Sequence, residues 1–201
     1  ILNGVDYDVI NPNKDPMIVK KYTPRTVKKG KLENKLALQK EVGLPEDPDV
    51  ALIGIVTRLT RQKGLDLVVI LGAGDRVYED ALKGVAYYHQ DKVSMQCKYD
   101  FGLSCRIYAG CDMFLMPSLF EPCGLSQMMS LKYGTIPIVR ETGGLKDSVI
   151  PYNEFEQTGT GFSFTNYNAH EMMDTIDYAL HTFYDYPENW DRLVQRAMKE
   201  K

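Results

Sequence analysis

Three stretches of this sequence set charged or glycine-rich residues directly after short apolar runs. The first is Thr57-Arg58-Leu59-Thr60-Arg61-Gln62-Lys63-Gly64, which follows the apolar run 51–56. A guanidinium and an ammonium five positions apart can neutralise a diphosphate, Arg58 through forked hydrogen bonds and Lys63 as a point charge. The plainer alternative is a solvated basic loop. The second stretch is Ser118-Leu119-Phe120-Glu121-Pro122-Cys123-Gly124-Leu125-Ser126. Pro122 suits a position at or just before the first turn of a helix, and Gly124 lets a ligand approach the backbone closely. Free N–H groups over 123–126 would suit an anion or a hydroxyl, with the Glu121 carboxylate just outside. The alternative for Glu121 is a helix cap, since acids are favoured at helix starts. The third is Glu141-Thr142-Gly143-Gly144-Leu145, a Gly-rich turn into a helix that suits phosphate, although such turns are common. Tyr99, just past another apolar run, offers a ring on which a flat base could stack; the alternative is a half-exposed core tyrosine.

Other patterns are weaker. Gly72-Ala73-Gly74-Asp75-Arg76-Val77 is similar to a dinucleotide fingerprint, but Val77 stands in place of its third glycine. Asp6-Tyr7-Asp8 and Asp47-Pro48-Asp49 have the spacing of a metal–diphosphate site, yet both sit in turn-rich stretches and read as turn acids. Met113, Met116, Met128, Met129, Met172 and Met173 read as packing.

Positioning these loops requires a sheet. Apolar runs at 51–56, 68–71, 93–97, 113–116, 136–139 and 161–164 read as strands, the first of them buried on both faces. Helical patterns fall between most of them, at 78–89, 103–109 and 125–133, with another at 169–183. Strands alternating with helices predict a parallel sheet covered on both faces, with ligands at the carboxyl ends of the strands. Residues 28–41 read as a charged surface helix, with Leu32, Leu36, Ala37 and Leu38 at helical spacing. One place breaks the rhythm. Only 57–67 separate the first two strands, whereas a parallel crossover takes a dozen or more residues, usually a helix. A helix is therefore expected to be missing near 66–69; the alternative is a short antiparallel hairpin. The reading is a linker segment over 1–50 packing on one α/β domain over 51–201.

Composition narrows the function. The 201 residues carry a net charge of −3 and 44% hydrophobic residues, so nucleic acid and anionic membranes are not expected partners. No apolar run approaches the length of a membrane span, and 1–8 has no basic cluster of the kind that opens a signal peptide. Cys97, Cys105, Cys111 and Cys123 form no CxxC pair, which suggests reduced thiols in a cytoplasm. His89, His170 and His181 are scattered, so zinc is not expected.

Taken together the loops resemble a known family. Thr-Arg-Leu-Thr-Arg-Gln-Lys-Gly at 57–64, Leu-Gly-Ala-Gly-Asp at 71–75, Tyr-Ala-Gly-Cys-Asp-Met-Phe-Leu-Met-Pro-Ser at 108–118, Phe-Glu-Pro-Cys-Gly-Leu at 120–125 and Thr-Gly-Gly-Leu-Lys-Asp at 142–147 are similar to the C-terminal half of bacterial glycogen and starch synthases. That resemblance implies a GT-B fold, two Rossmann-like domains facing across a cleft, of which this chain is the C-terminal, nucleotide-sugar-binding domain. It implies retaining transfer of glucose from ADP-glucose to the non-reducing end of an α-1,4-glucan, without a metal or other cofactor. By the same resemblance Arg58 and Lys63 meet the donor diphosphate and Glu121 stands near the donor sugar. Cys123, Gly124 and Leu125 approach sugar and phosphate, and Thr142, Gly143 and Gly144 form the second phosphate-side loop. Tyr99 falls where adenine stacks. The implied partners are ADP-glucose, the glucan and an N-terminal GT-B domain; the family's Lys-Thr-Gly-Gly-Leu loop, carried by that domain, is absent here. Many related retaining transferases place a second Glu eight positions after the first. Met129 stands there instead, which favours the glycogen-synthase branch. The competing readings are a standalone nucleotide-binding module without catalysis, and an NAD-linked enzyme resting on Gly72 and Gly74, which leaves Arg58, Lys63 and Glu121 without roles.

Overall fold

A computed structural model describes residues 5–56 and 67–200. The strands are β1 (Leu52–Val56), β2 (Leu67–Leu71), β3 (Val93–Gln96), β4 (Met113–Met116), β5 (Ile136–Arg140) and β6 (Phe162–Phe164). They form one sheet in the order β3-β2-β1-β4-β5-β6, and every neighbouring pair is parallel. This is the doubly wound order of a Rossmann fold, whose sense of winding reverses between β1 and β4. β1 pairs β2 in parallel from Leu52 with Leu67 to Val56 with Leu71, so the hairpin alternative is excluded. Ten residues are left to return the chain.

The helices among the described residues are α1 (Val27–Val42), α2 (Arg76–Tyr88), α3 (Phe101–Gly110), α4 (Ser126–Tyr133), α5 (Gly143–Ser148), α6 (Ala169–Asp185) and α7 (Pro187–Ala197). Alternation along β2 shows that both faces are covered. Leu67, Val69 and Leu71 join the main core, which includes Leu103 and Ile107 of α3. Val68 and Ile70 point the other way, towards Tyr78 and Leu82 of α2. That second cluster is small, and α2 has no buried residue.

α1 departs from its expected orientation. Leu32 is exposed, and the helix instead buries Lys31, Asn34, Lys35, Leu38 and Gln39. The reason is hydrogen bonding. The Lys31 ammonium lies 3.2 Å from Ala109 O, 3.4 Å from Tyr108 O, 3.5 Å from Tyr133 O and 2.6 Å from the Thr135 hydroxyl. It therefore caps the last carbonyls of α3 and α4 together, a favourable place for a cation. Lys35 pairs with Asp112 at 2.9 Å and donates to Pro48 O. These inward polar contacts pin the leading segment to the sheet domain.

Burial lowers the Lys31 pKa from 10.5 to about 8; Asp112 and the Cys111 thiol oppose the shift and Lys35 adds to it. Between those pH values the unfolded chain holds a proton that the folded chain has released, so stability rises with pH across that window. The stability difference between the wild type and Lys31→Met should thus shift towards the wild type from pH 8 to pH 10, by on the order of 2 kcal/mol. Thermal melts of both proteins at the two pH values measure it. A difference independent of pH would show that the ammonium is not desolvated.

Candidate functional site

The winding reversal sets β1 and β4 side by side, and their carboxyl ends open the crevice where such sheets bind ligands. The loop after β1 carries Arg58 and Lys63, which lie outside the described residues. The loop after β4 runs over 117–125, and α4 begins at Ser126 with Leu125 at its N-cap. Pro122 is therefore in the loop ahead of the helix, four positions before its first residue.

That loop is anchored at both ends. The Arg140 guanidinium, at the end of β5, donates to Leu119 O at 2.7 Å and to Ser118 O at 3.4 Å, and lies over the Tyr167 ring. Nearer the helix, Glu121 Oε1 accepts the Gly124 amide at 3.2 Å. The capping alternative for Glu121 is thus partly realised: one carboxylate oxygen braces its own loop. It also takes the Gly124 amide out of the set open to a ligand. Gly124 has φ +66, a conformation suited to glycine.

The third loop meets the second. The Gly144 amide donates to Glu121 O at 3.2 Å. A Cβ on Gly144 would stand 1.9 Å from Cys123 O, and one on Gly143 would stand 2.2 Å from Glu121 O. These two glycines are there so that two backbones can touch. Thr142 is the N-cap of α5, with no side-chain capping bond. The fold therefore joins Glu121, Cys123, Gly124, Thr142, Gly143 and Gly144 into one shelf, with Leu125 exposed at its edge. Leu119 and Phe120 are exposed there too.

Tyr99 stands apart from that shelf. It follows β3, three strands from β4, or about 14 Å at the usual spacing. Lys98 and Asp100 pair at 2.9 Å on either side of it, and Tyr99 itself is 92% exposed, so the core-tyrosine alternative fails. A cavity of about 230 Å³ lined by Tyr22, Thr23, Lys132 and Met198 lies at the far end of α4 from the shelf.

The weaker patterns resolve as structural. The Gly74 amide is bonded to Glu79 Oε1 at 2.9 Å, and its turn follows β2, away from the crevice. Asp8 pairs with Lys14, and Asp47 Oδ1 accepts the amides of Asp49 and Val50. Among the described residues no group of three His, Cys, Asp or Glu could hold a metal. All four cysteines are free thiols; burial pushes Cys105 up to about 12, so it is no nucleophile at neutral pH. Arg140 is a site residue that the motifs do not single out, although a charged residue ending an apolar strand is a usable signal for this fold.

Residues 69–197 match the family model described as glycosyl transferases group 1. The glycogen synthase of Lachnospira eligens is 53% identical over 213 residues, covering 99% of this chain and 45% of that protein. The glycogen synthase of Exiguobacterium sibiricum is 49% identical over 214 positions, covering 100% of this chain and 44% of that one. This chain has 201 residues, so about 13 positions of that alignment have no counterpart here. The catalytic domain of starch synthase IV from Arabidopsis thaliana, bound to ADP and acarbose, superposes with a TM-score of 0.92 at 35% identity, covering 100% of this chain and 45% of that chain. The chain thus spans a little under half the length of the relatives it matches.

Proposed function

Since the chain belongs to the glycosyl transferases group 1 family, we propose that it is the donor-binding half of a glycogen synthase, which transfers glucose from ADP-glucose to the non-reducing end of an α-1,4-glucan with retention. The observation that carries this reading is the shelf at the winding reversal, where two glycine-rich loops touch beside the end of β1. Arg58 and Lys63, on the loop leaving β1, neutralise the diphosphate and the departing nucleotide. The amides around Cys123, Leu125 and Gly143 approach phosphate and sugar. Glu121, braced by Gly124, sets negative charge beside the sugar, where positive charge develops during transfer. Tyr99 stacks on adenine, a role its exposed ring at the strand-end side of the sheet supports. No resident metal takes part. The protein works in the cytoplasm; in keeping with that, no helix among the described residues is long and apolar enough to cross a membrane.

We place the about 13 positions of the relatives unmatched here between β1 and β2, where a parallel crossover usually takes a helix. Residues 1–50 are a linker that packs on the domain over 51–201. The exposed Leu119, Phe120 and Leu125 suit a second domain closing over the shelf. A non-catalytic nucleotide-binding module is the second reading.

One set of measurements tests both. By calorimetry the 201-residue chain should bind ADP weakly and UDP more weakly, without a divalent metal. Given labelled ADP-glucose and glycogen it should transfer no label, because one wall cannot hold both substrates in reacting geometry or exclude water. Strict dependence of binding on Mg²⁺ or Mn²⁺ would overturn the metal-free site. Label transferred by the chain alone, above a boiled control, would sink the half-enzyme reading. Transfer restored by adding the N-terminal half of a glycogen synthase would decide against the non-catalytic module.

A further inference from the structure

Gln127 lies in the first turn of α4 and is fully buried, at 0% exposure. Its Nε2 is 2.9 Å from Gly124 O, 3.2 Å from Cys123 O and 2.9 Å from the Ser148 hydroxyl. Two carbonyl acceptors settle which end of the amide carries nitrogen, since an oxygen there would face oxygens. Its two N–H bonds serve three acceptors: the neighbouring carbonyls share one and Ser148 takes the other. Ser148 passes its own hydrogen on to Gly144 O at 2.6 Å. One side chain therefore links 123–124 of one site loop to Gly144 of the other, the same two backbones that meet through the Gly144 amide and Glu121 O. The amide oxygen, by contrast, has no partner. A buried acceptor left unpaired is a cost that a methionine of the same size would avoid, so the donor end is what justifies an amide at this position.

The geometry points to Gln127 as a positioning residue that locks the two loops of the donor shelf into one rigid surface for a nucleoside diphosphate sugar. It touches neither substrate nor reacting atoms; it acts through the backbone of Cys123, Gly124 and Gly144. For its ligand this inference rests on the proposed donor site; the lock itself does not.

The test uses Gln127→Met in the 201-residue chain, which keeps the volume and removes the donors. Hydrogen exchange by NMR reads the lock without any ligand. The Gly144 amide should exchange about tenfold faster, while the amides of Phe114 and Val139 in the sheet keep their protection. Affinity for ADP should fall about tenfold. An unchanged Gly144 amide in a folded variant overturns the lock. Unchanged ADP affinity despite a loosened Gly144 overturns its role in binding. If Gly144 loosens but the wild type binds no ADP, the lock stands and the donor-site reading falls. Should Gln127→Met not fold, Ser148→Ala breaks the same link from the half-buried side of α5 and is read by the same two measurements.

Discussion

Alanine in place of Arg58 or Lys63 should lower glucosyl transfer by the two-domain enzyme by two or more orders of magnitude. The sheet order brings the end of β1 beside β4, so the loop carrying both cations leaves the strand at the winding reversal. A nucleoside diphosphate departs with its charge on phosphate oxygens. Preorganised donors at such a charge commonly supply roughly 3–4 kcal/mol each, a factor of about 10² to 10³ in rate. Arg58 should be the harder to replace, because lysine cannot reproduce a forked contact. Steady-state kinetics with ADP-glucose would show a fall in kcat for each variant. Wild-type turnover in both would remove them from the site and leave the loop as a solvated basic segment.

Gly144→Ala should have the second largest effect, and it can be measured on the present chain. The added methyl carbon would lie 1.9 Å from Cys123 O and 2.5 Å from Cys123 C. Both are backbone atoms, so no side chain can turn aside. Either the loop over 117–125 lifts away or α5 shifts, and overpacking of this kind typically costs about 1–3 kcal/mol. Affinity for ADP should drop below detection by calorimetry, and the thermal midpoint should fall by several degrees. Gly84→Ala is the control. Nothing lies within 4 Å of a Cβ there, and alanine in a helix interior is favoured over glycine by about 1 kcal/mol, so that variant should bind normally and melt no lower. Normal binding by Gly144→Ala would mean that the two loops need not touch for the donor site to form.

Much of the architecture is legible in the amino-acid sequence. The order of apolar runs and Gly-rich loops identifies a parallel α/β sheet, because buried strands and strand-end glycines leave local marks. The contacts between loops leave none. Glu121 and Gly144 are 23 positions apart, and nothing local says that one carbonyl will accept the other's amide. Nothing in the sequence singles out Gln127, because composition cannot distinguish an amide facing water from one facing three oxygens. The face of α1 is hidden for the same reason: Lys31, Asn34 and Lys35 look solvated until carbonyls and Asp112 are brought to them. α7 has no such excuse. Pro187 at a helix start, with Trp190, Leu193, Val194 and Ala197 at helical spacing, marks it in the sequence.

The thin covering of β2 and β3 has a consequence for how the molecule comes apart. β2 meets its neighbours through backbone pairing with β1 and β3, but beyond the small cluster around Val68 and Ile70 little apolar surface holds α2 down. Regions with few buried contacts open at a free energy below that of global unfolding. β1, β4 and β5, with α3, α4, α6 and α7, hold most of the fully buried residues, so they should persist while α2 and the β3 edge fray. Tyr99 rides on that fraying edge, whereas Glu121 and Gly144 sit on the persistent half. If the proposed donor site holds, its base-binding and phosphate-binding ends belong to parts of unequal stability, and an ADP molecule spanning them would act as a strut between the two.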